Sequence, residues 1–149
     1  MGLPTDLMRR AESGDAFSQF EVGVAYQKGE IVPPDYGEAL RWYRRAADQG
    51  HARAQFNIGS MYLRGIGIAA DSREGLRWYG LAADHGDPDL LVAIAEILHK
   101  DESLDAWSLA AKCYVAAADE GHARAQGLVG MKTFAGDGFP QDTQLAMYY

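Results

Sequence analysis

The sequence has a single cysteine, Cys113, among its 149 residues, and it has no long hydrophobic run. One cysteine cannot form a disulfide within the chain, which excludes the small secreted folds that disulfides hold together. No apolar stretch approaches the ~20 residues that a helix needs to span a bilayer, and the amino-terminal residues lack the apolar segment of a secretory signal. We therefore expect a soluble, cytoplasmic protein with no signal peptide and no transmembrane segment.

Positive charge is also scarce. Lysine and arginine together number 14 against 21 aspartates and glutamates, which gives a net charge of -7 and a pI of about 5.0. A surface of this sign repels nucleic-acid phosphates and anionic lipids, so we expect neither of them as a partner. Hydrophobic residues make up 48% of the chain, which is typical of a folded globular protein.

The most informative feature of the sequence is an internal repeat. Glycines that end similar tetrads follow one another at intervals of 36, 36 and 35 residues: Gly14, Gly50, Gly86 and Gly121. Small residues form a second column with the same intervals: Gly23, Gly59, Ala95 and Gly130. Trp42 and Trp78 are also 36 residues apart. A fixed period of this length is typical of solenoids and related repeat arrays.

Each repeat is predicted to contain two helices. In the unit from Gly50 to Gly86, apolar residues at every fourth position predict an amphipathic helix over 52–64, which Gly65 and Gly67 then interrupt. Asp71, followed by Glu74 three residues later, has the spacing of a capping box and predicts a second helix over 72–84. If the repeats stack, Trp42 and Trp78 should lie in matching surroundings one repeat apart.

The same unit carries a family motif at a dozen positions: Ala54, Ile58, Gly59, Tyr62, Gly65, Gly67, Asp71, Trp78, Tyr79, Ala82, Ala83 and Gly86. This pattern resembles the Sel-one-like repeat family, a relative of the tetratricopeptide repeats. The resemblance implies an all-α fold, a right-handed superhelical solenoid of antiparallel helix pairs. It also implies a scaffold that brings proteins together, often in bacterial regulation or host contact. The third unit departs from the motif, with Ala95 in the glycine column and Cys113 in the tryptophan column.

The repeat frame divides the chain into five segments of one repeat domain. They are an N-terminal capping half-repeat (3–14), repeat 1 (15–50), repeat 2 (51–86), a degenerate repeat 3 (87–121) and an incomplete repeat 4 (122–149). The last helix stops about halfway in this frame. Two interpretations are open, namely that the chain is cut inside a longer array or that a partner subunit covers its exposed end.

The first helices of the repeats carry a second, more variable track opposite their core stripe. We call it the groove track, and it consists of Phe20, Val24, Gln27, Phe56, Ser60, Leu63, Val92, Glu96, His99, Met131 and Phe134. First helices usually line the concave side of such arrays, so an apolar track there predicts a docking groove for a partner protein or peptide. The alternative is that these residues contact the first helix of the next repeat.

No catalytic or metal-binding constellation emerges from the sequence. His51 and His122 lie two repeats apart, His85 and His99 belong to different elements, and no second cysteine accompanies Cys113. Cys113 lies in a packing column and is predicted to be a small buried hydrophobe. We therefore expect no metal, no cofactor and no enzyme activity.

The prediction is a non-catalytic protein–protein interaction scaffold or adaptor that binds its partner on the concave surface. Two alternatives stay open. One is a structural module that self-associates as a homodimer through its carboxy-terminal end, and the other is a regulatory or targeting module of a larger enzyme.

Overall fold

The computed structural model describes residues 2–100 and 103–135, with the side chains of residues 104 and 130–135 outside that description. Within these ranges the chain forms eight α-helices and no strand. They are α1 (Thr5–Glu12), α2 (Ala16–Lys28), α3 (Tyr36–Ala47), α4 (Ala52–Arg64), α5 (Ser72–His85), α6 (Pro88–Leu98), α7 (Leu104–Asp119) and α8 (Ala123–Ala135). The chain divides into unit 1, Met1–His85, and unit 2, Gly86–Tyr149. Within each unit, helices that are consecutive in the chain pack against each other.

The first helix of each pair begins at a side-chain cap. The capping residues recur at intervals of 36, 36 and 35, and each accepts a hydrogen bond from the backbone N–H three residues later: Asp15, His51, Asp87 and His122. Such caps satisfy N–H groups that the first turn of a helix leaves without partners. Aspartate and histidine therefore alternate in one structural role along the chain.

The loops of unit 1 connect the helices of each pair in a repeated way. Gly29 and Gly65 end α2 and α4 in the left-handed conformation, with φ of 70° and 65°, which glycine adopts without strain. Asp71 then caps α5 by accepting the Glu74 N–H at 3.1 Å, as the capping-box spacing predicts. The N–H of Asp71 donates to the carbonyl of Tyr62 at 3.0 Å. Because that N–H is already bonded, the Glu74 carboxylate pairs with Arg77 instead of completing the box.

Small residues allow the two helices of a pair to approach closely. A Cβ added to Gly23 would lie 2.6 Å from Cδ1 of Tyr43, and one added to Gly59 would lie 2.7 Å from Cδ1 of Tyr79. Both tyrosines are almost completely buried. The glycine column is therefore the surface against which the tyrosine column packs.

The two tryptophans lie in matching surroundings, which confirms that expectation. Trp42 packs in one core cluster, and Trp78 packs against a second. Members of the first cluster recur 36 residues later in the second: Ala11 and Ala47, Val22 and Ile58. Unit 1 is therefore built from repeating contacts as well as repeating helices.

Glutamines connect three of the four first helices, α2, α4 and α8, to the helix before each of them, a role that was not predicted from the sequence. Their side-chain amides donate at 3.1 Å to the carbonyl eight residues earlier: Gln19 to Ala11, Gln55 to Ala47 and Gln126 to Ala118. A buried carbonyl at a helix end needs a partner, and this column supplies it.

Unit 2 follows the same plan with a different loop. Only residues 99–103 separate α6 from α7, whereas residues 65–71 separate α4 from α5. The Ser103 hydroxyl caps α7 by accepting the Ala106 N–H at 3.3 Å. Cys113, on α7, is buried, which confirms its predicted place in the core.

Candidate functional site

An open cleft of about 390 Å³ lies in unit 1. It is formed by α1, α2, the loop after α2 and the start of α4. Its lining residues are Leu7, Phe17, Phe20, Glu21, Val24, Ala25, Lys28, Glu30, Ile31 and Arg53. Six of these side chains are apolar and four are charged, which is the usual make-up of a pocket that buries an apolar group and orients it with polar neighbours.

The apolar lining of the cleft is accessible to solvent. Phe17 is 57% exposed and Ile31 is 46% exposed, which is unusual for large hydrophobic side chains. Phe20 and Val24 are half-buried and pack against the core cluster beneath. The cleft therefore presents two exposed apolar side chains beside two that are anchored to the core.

Aromatic stacking holds the base of the cleft in place. The ring of Phe20 stacks on His51, with centroids 4.6 Å apart and 23° between the planes, and it lies 5.8 Å from the Tyr43 ring. The Tyr43 hydroxyl donates a hydrogen bond to the Gln27 side chain. Burial raises the pKa of Tyr43 to about 12, although a hydrogen bond with Asn57 acts in the opposite direction. Tyr43 is therefore neutral at physiological pH and acts as a hydrogen-bond donor.

The groove-track residues of α2 divide between the cleft and its support. Phe20 and Val24 line the cleft, whereas Gln27 accepts the Tyr43 hydrogen bond. All three are half-buried.

The groove-track residues of α4 are also half-buried, and their contacts are to α5. Phe56 stacks on Tyr79 with centroids 5.3 Å apart, and the Ser60 hydroxyl lies 2.8 Å from the Tyr79 hydroxyl. Leu63 packs so closely on Gly75 that a Cβ there would lie 2.7 Å from its Cγ. These side chains hold the second helix pair together, a contact that neither interpretation of the track included.

In unit 2 the groove track has a different character. Val92 is 6% exposed and belongs to the core, whereas His99 is exposed and its ring lies 4.9 Å from that of Trp107. Glu96 pairs with Arg124 at 2.7 Å. The side chains of Met131 and Phe134 lie outside the described residues.

Eight of the ten lining residues were not predicted from the sequence. They include the two exposed hydrophobic residues, Phe17 and Ile31, although the repeat frame contained a signal for both. Phe17 occupies a column in which the other repeats carry charge: Arg53, Asp89 and Arg124. Ile31 occupies the place where the second repeat has Gly67. A hydrophobic residue in an otherwise charged or glycine column has no framework role, so it is a candidate for contact with a partner.

The titratable residues that the structure describes include no group of three His, Cys, Asp or Glu side chains placed to hold a metal ion. Over the same part of the chain, no helix has the length and apolar character to cross a membrane.

The repeated caps, loops and glycine–tyrosine contacts define a class of α/α repeat proteins. The Sel1 repeat profile matches residues 16–51, 52–87 and 123–149, which is most of the chain. The protein therefore belongs to the Sel1 repeat family, as the resemblance to Sel-one-like repeats predicted. Between the second and third matches lies the segment with Ala95 and Cys113 in place of motif residues.

Solved structures give the same result. The protein c5321, a protective antigen present in uropathogenic Escherichia coli strains that displays an SLR fold, matches with a TM-score of 0.75 and 31% identity. A Sel1 repeat protein from Oxalobacter formigenes matches with a TM-score of 0.73 and 30% identity. The alignments cover 96% and 95% of this chain, but only 31% and 58% of those chains. Comparison with curated proteins gave no match. The predicted all-α repeat fold is confirmed.

Proposed function

We propose that this protein is a non-catalytic interaction module that binds an apolar segment of a partner protein or peptide in the unit 1 cleft. Sel1 repeats generally mediate protein–protein interaction. The observation that carries the proposal is the pair of exposed hydrophobic side chains, Phe17 and Ile31, at a cleft whose other apolar residues are anchored in the core. Leaving such side chains in water has a free-energy cost that a bound apolar group removes.

The dimensions and charges of the cleft fit a short side-chain cluster of the partner. A volume of about 390 Å³ lies in the lower range of ligand pockets and accommodates one or two large apolar side chains. Glu21, Lys28, Glu30 and Arg53 line the same cleft. These charges of both signs suit a peptide backbone and polar flanks better than a purely apolar ligand.

The test is selection of peptides from a random display library on the purified chain, followed by affinity measurements on three proteins. We expect apolar-anchored peptides whose affinity falls at least about tenfold for the double variant Phe17→Ser/Ile31→Ser, because both substitutions remove apolar contact area. The matched control is Tyr36→Ser. Tyr36 is 43% exposed and is not among the residues that line the cleft, so its removal should change affinity less than about twofold.

Two results would contradict the proposal. One is that the double variant and the Tyr36 variant bind the selected peptides equally well. The other is that light scattering shows a dimer that the double variant converts to a monomer, since the cleft would then be a contact between copies of this chain. Circular dichroism of each variant checks that helix content is unchanged.

A further inference from the structure

His51 connects a helix start to the wall of the cleft. Its Nδ1 accepts the Ala54 N–H at 3.2 Å and so caps α4. Its ring stacks on Phe20 and lies 6.3 Å from the ring of Phe17. Both phenylalanines line the cleft. One imidazole therefore supports a backbone turn on one side and an aromatic wall on the other.

This arrangement requires the neutral form of the ring. A protonated imidazole carries N–H on both nitrogens, so Nδ1 would confront the Ala54 N–H with no lone pair to accept it. The added positive charge would also lie at the positive end of the α4 dipole. Both effects oppose protonation of His51 while it stays in this position.

The surroundings of the ring act mainly in the same direction. Burial is the largest influence and lowers the pKa of His51 below its ordinary value, and the charge of Arg53 on α4 lowers it further. A backbone hydrogen bond at His51 and the carboxylate of Asp15, at the start of α2, raise it in part. The folded chain therefore binds this proton more weakly than the unfolded chain does. The associated stability is complete above the ordinary histidine pKa of about 6.5 and is lost as the pH falls from there through the folded-state pKa.

We infer that His51 is a protonation switch, which in its neutral form caps α4 and supports Phe20 and which withdraws from both places when it is protonated. The cleft then loses its aromatic support. If the cleft binds a partner as proposed above, mild acid weakens that binding. Asp15 holds the same capping column with a carboxylate, and hydrogen bonds from Ser18 lower the pKa of that carboxyl, so it keeps accepting over this pH range. Asp87 caps α6 through the same kind of hydrogen bond.

His122 provides an internal comparison. It caps α8 through Nδ1 as His51 caps α4, and its Nε2 lies 3.2 Å from the Asp89 carboxylate. The far side of the His122 ring faces that carboxylate, whereas the His51 ring faces Phe20. The two histidines therefore share a capping role but have different neighbours, which makes His122→Asn the matched control for His51→Asn.

The experiment is an NMR titration from pH 8 to pH 5 of the wild type, His51→Asn and His122→Asn. Asparagine is a good N-cap and does not titrate. We expect the chemical shifts of the Ala54 amide and the Phe20 ring to change over the same pH range as those of the His51 ring. We also expect amide exchange at Ala54, corrected for its intrinsic pH dependence, to rise roughly three- to tenfold, as loss of a cap implies. His51→Asn should abolish both changes and His122→Asn should retain them.

The switch is overturned if the His51 ring titrates while the Ala54 and Phe20 signals stay still, or if His51→Asn keeps the same pH response. Should His51→Asn fail to fold, His51→Asp takes its place, because the chain already uses aspartate in this column. Peptide affinity is measured separately at pH 7.5 and 5.5. If selected peptides bind the cleft but lose affinity equally in wild type and His51→Asn, the switch fails while the proposed function stands. If no peptide binds although the Ala54 amide signal shifts together with the His51 ring signal, the proposed function fails while the switch stands.

Discussion

The second helix pair, α4–α5, and the third, α6–α7, follow the same repeat with different interactions. The second uses a glycine against a tyrosine ring, a buried glutamine and a seven-residue loop ending in an aspartate cap. The third pair has Ala95 in the glycine column and Leu91 in the glutamine column. Its loop is shorter and ends in a Ser103 cap. Both pairs nevertheless bury their tyrosine. The difference teaches that the period and the buried columns define a helix pair, whereas the loop and the contact atoms can be exchanged.

In the third pair, a more apolar first helix compensates for the absence of the glycine–tyrosine contact and of the buried glutamine. Buried residues of α6 are almost all large aliphatic side chains: Leu90, Leu91, Val92, Ile94, Ala95 and Leu98. The corresponding buried set of α4 includes a glutamine and a glycine: Ala54, Gln55, Ile58, Gly59 and Met61. Aliphatic burial is non-directional and tolerates small shifts, whereas a glycine–tyrosine contact and buried hydrogen bonds do not. The second pair should therefore be the more sensitive to small substitutions.

Gly59→Ala should have the largest effect. The new Cβ would lie 2.7 Å from Cδ1 of Tyr79 and 3.1 Å from the Gly75 carbonyl, so the helices must separate. We expect a loss of roughly 2 kcal/mol in the free energy of unfolding, measured by urea denaturation. Gly80→Ala on α5 is the matched control, because its Cβ meets nothing within 4 Å and alanine favours a helix, which should stabilise the chain by up to about 1 kcal/mol. Equal effects of the two substitutions would show that the close approach does not matter.

The glutamine column allows a comparison within unit 1. The Gln19 amide donates to Ala11, and its oxygen accepts a hydrogen bond from Gln49 at 2.8 Å, whereas the oxygen of Gln55 is buried without a hydrogen-bond partner among the described residues. Gln19→Leu should therefore cost roughly 2 kcal/mol and Gln55→Leu about 1 kcal/mol or less, since the latter also removes a buried oxygen without a partner. Thermal unfolding at fixed pH measures both. A larger loss for Gln55→Leu would contradict this account.

Removal of the caps tests whether the two loops are equivalent. Asp71→Ala and Ser103→Ala should each cost about 1 kcal/mol, because each leaves an N–H of the first helical turn without its acceptor. Asp71→Asn, which can still accept, should lose much less. If Ser103→Ala left the free energy of unfolding in urea unchanged, the third helix pair would not depend on its cap. The two loops would then differ in what their caps contribute to stability.

The exposed ion pair on α5 should contribute least to the free energy of unfolding. Arg77 and Glu74 are 2.9 Å apart at the surface, and hydrogen bonding to Glu74 raises the pKa of Arg77. Glu74→Gln should cost only a few tenths of a kcal/mol. Urea unfolding at low salt and at about 1 M salt measures the effect, which should vanish at high salt because exposed charges are screened. A cost that persists at high salt would point to packing rather than charge.

Much of the fold could be predicted because the same helix signals recur at matching positions of successive repeats, so that a weak signal in one repeat is supported by the others. The helix expected over 52–64 is found at Ala52–Arg64, and the one expected over 72–84 at Ser72–His85. The cleft was predicted only in part. Phe20 and Val24 belong to the expected track, but Phe17 and Ile31 do not. The framework columns identify what the repeats share, whereas Phe17 and Ile31 can be found only by asking where one repeat departs from its column.

The sequence by itself determined the period, the two helices of each repeat, the Asp71 cap and the framework columns, because each of these depends on spacing within about one repeat. Only the tertiary structure decided which surface stays open. The groove-track side chains of α4 are half-buried against Tyr79 and Gly75, whereas the loop that follows α2 leaves Ile31 beside Phe17 in an open cleft. Exposure depends on how far side chains of a neighbouring helix or loop reach, and periodicity within one helix carries no information about that reach.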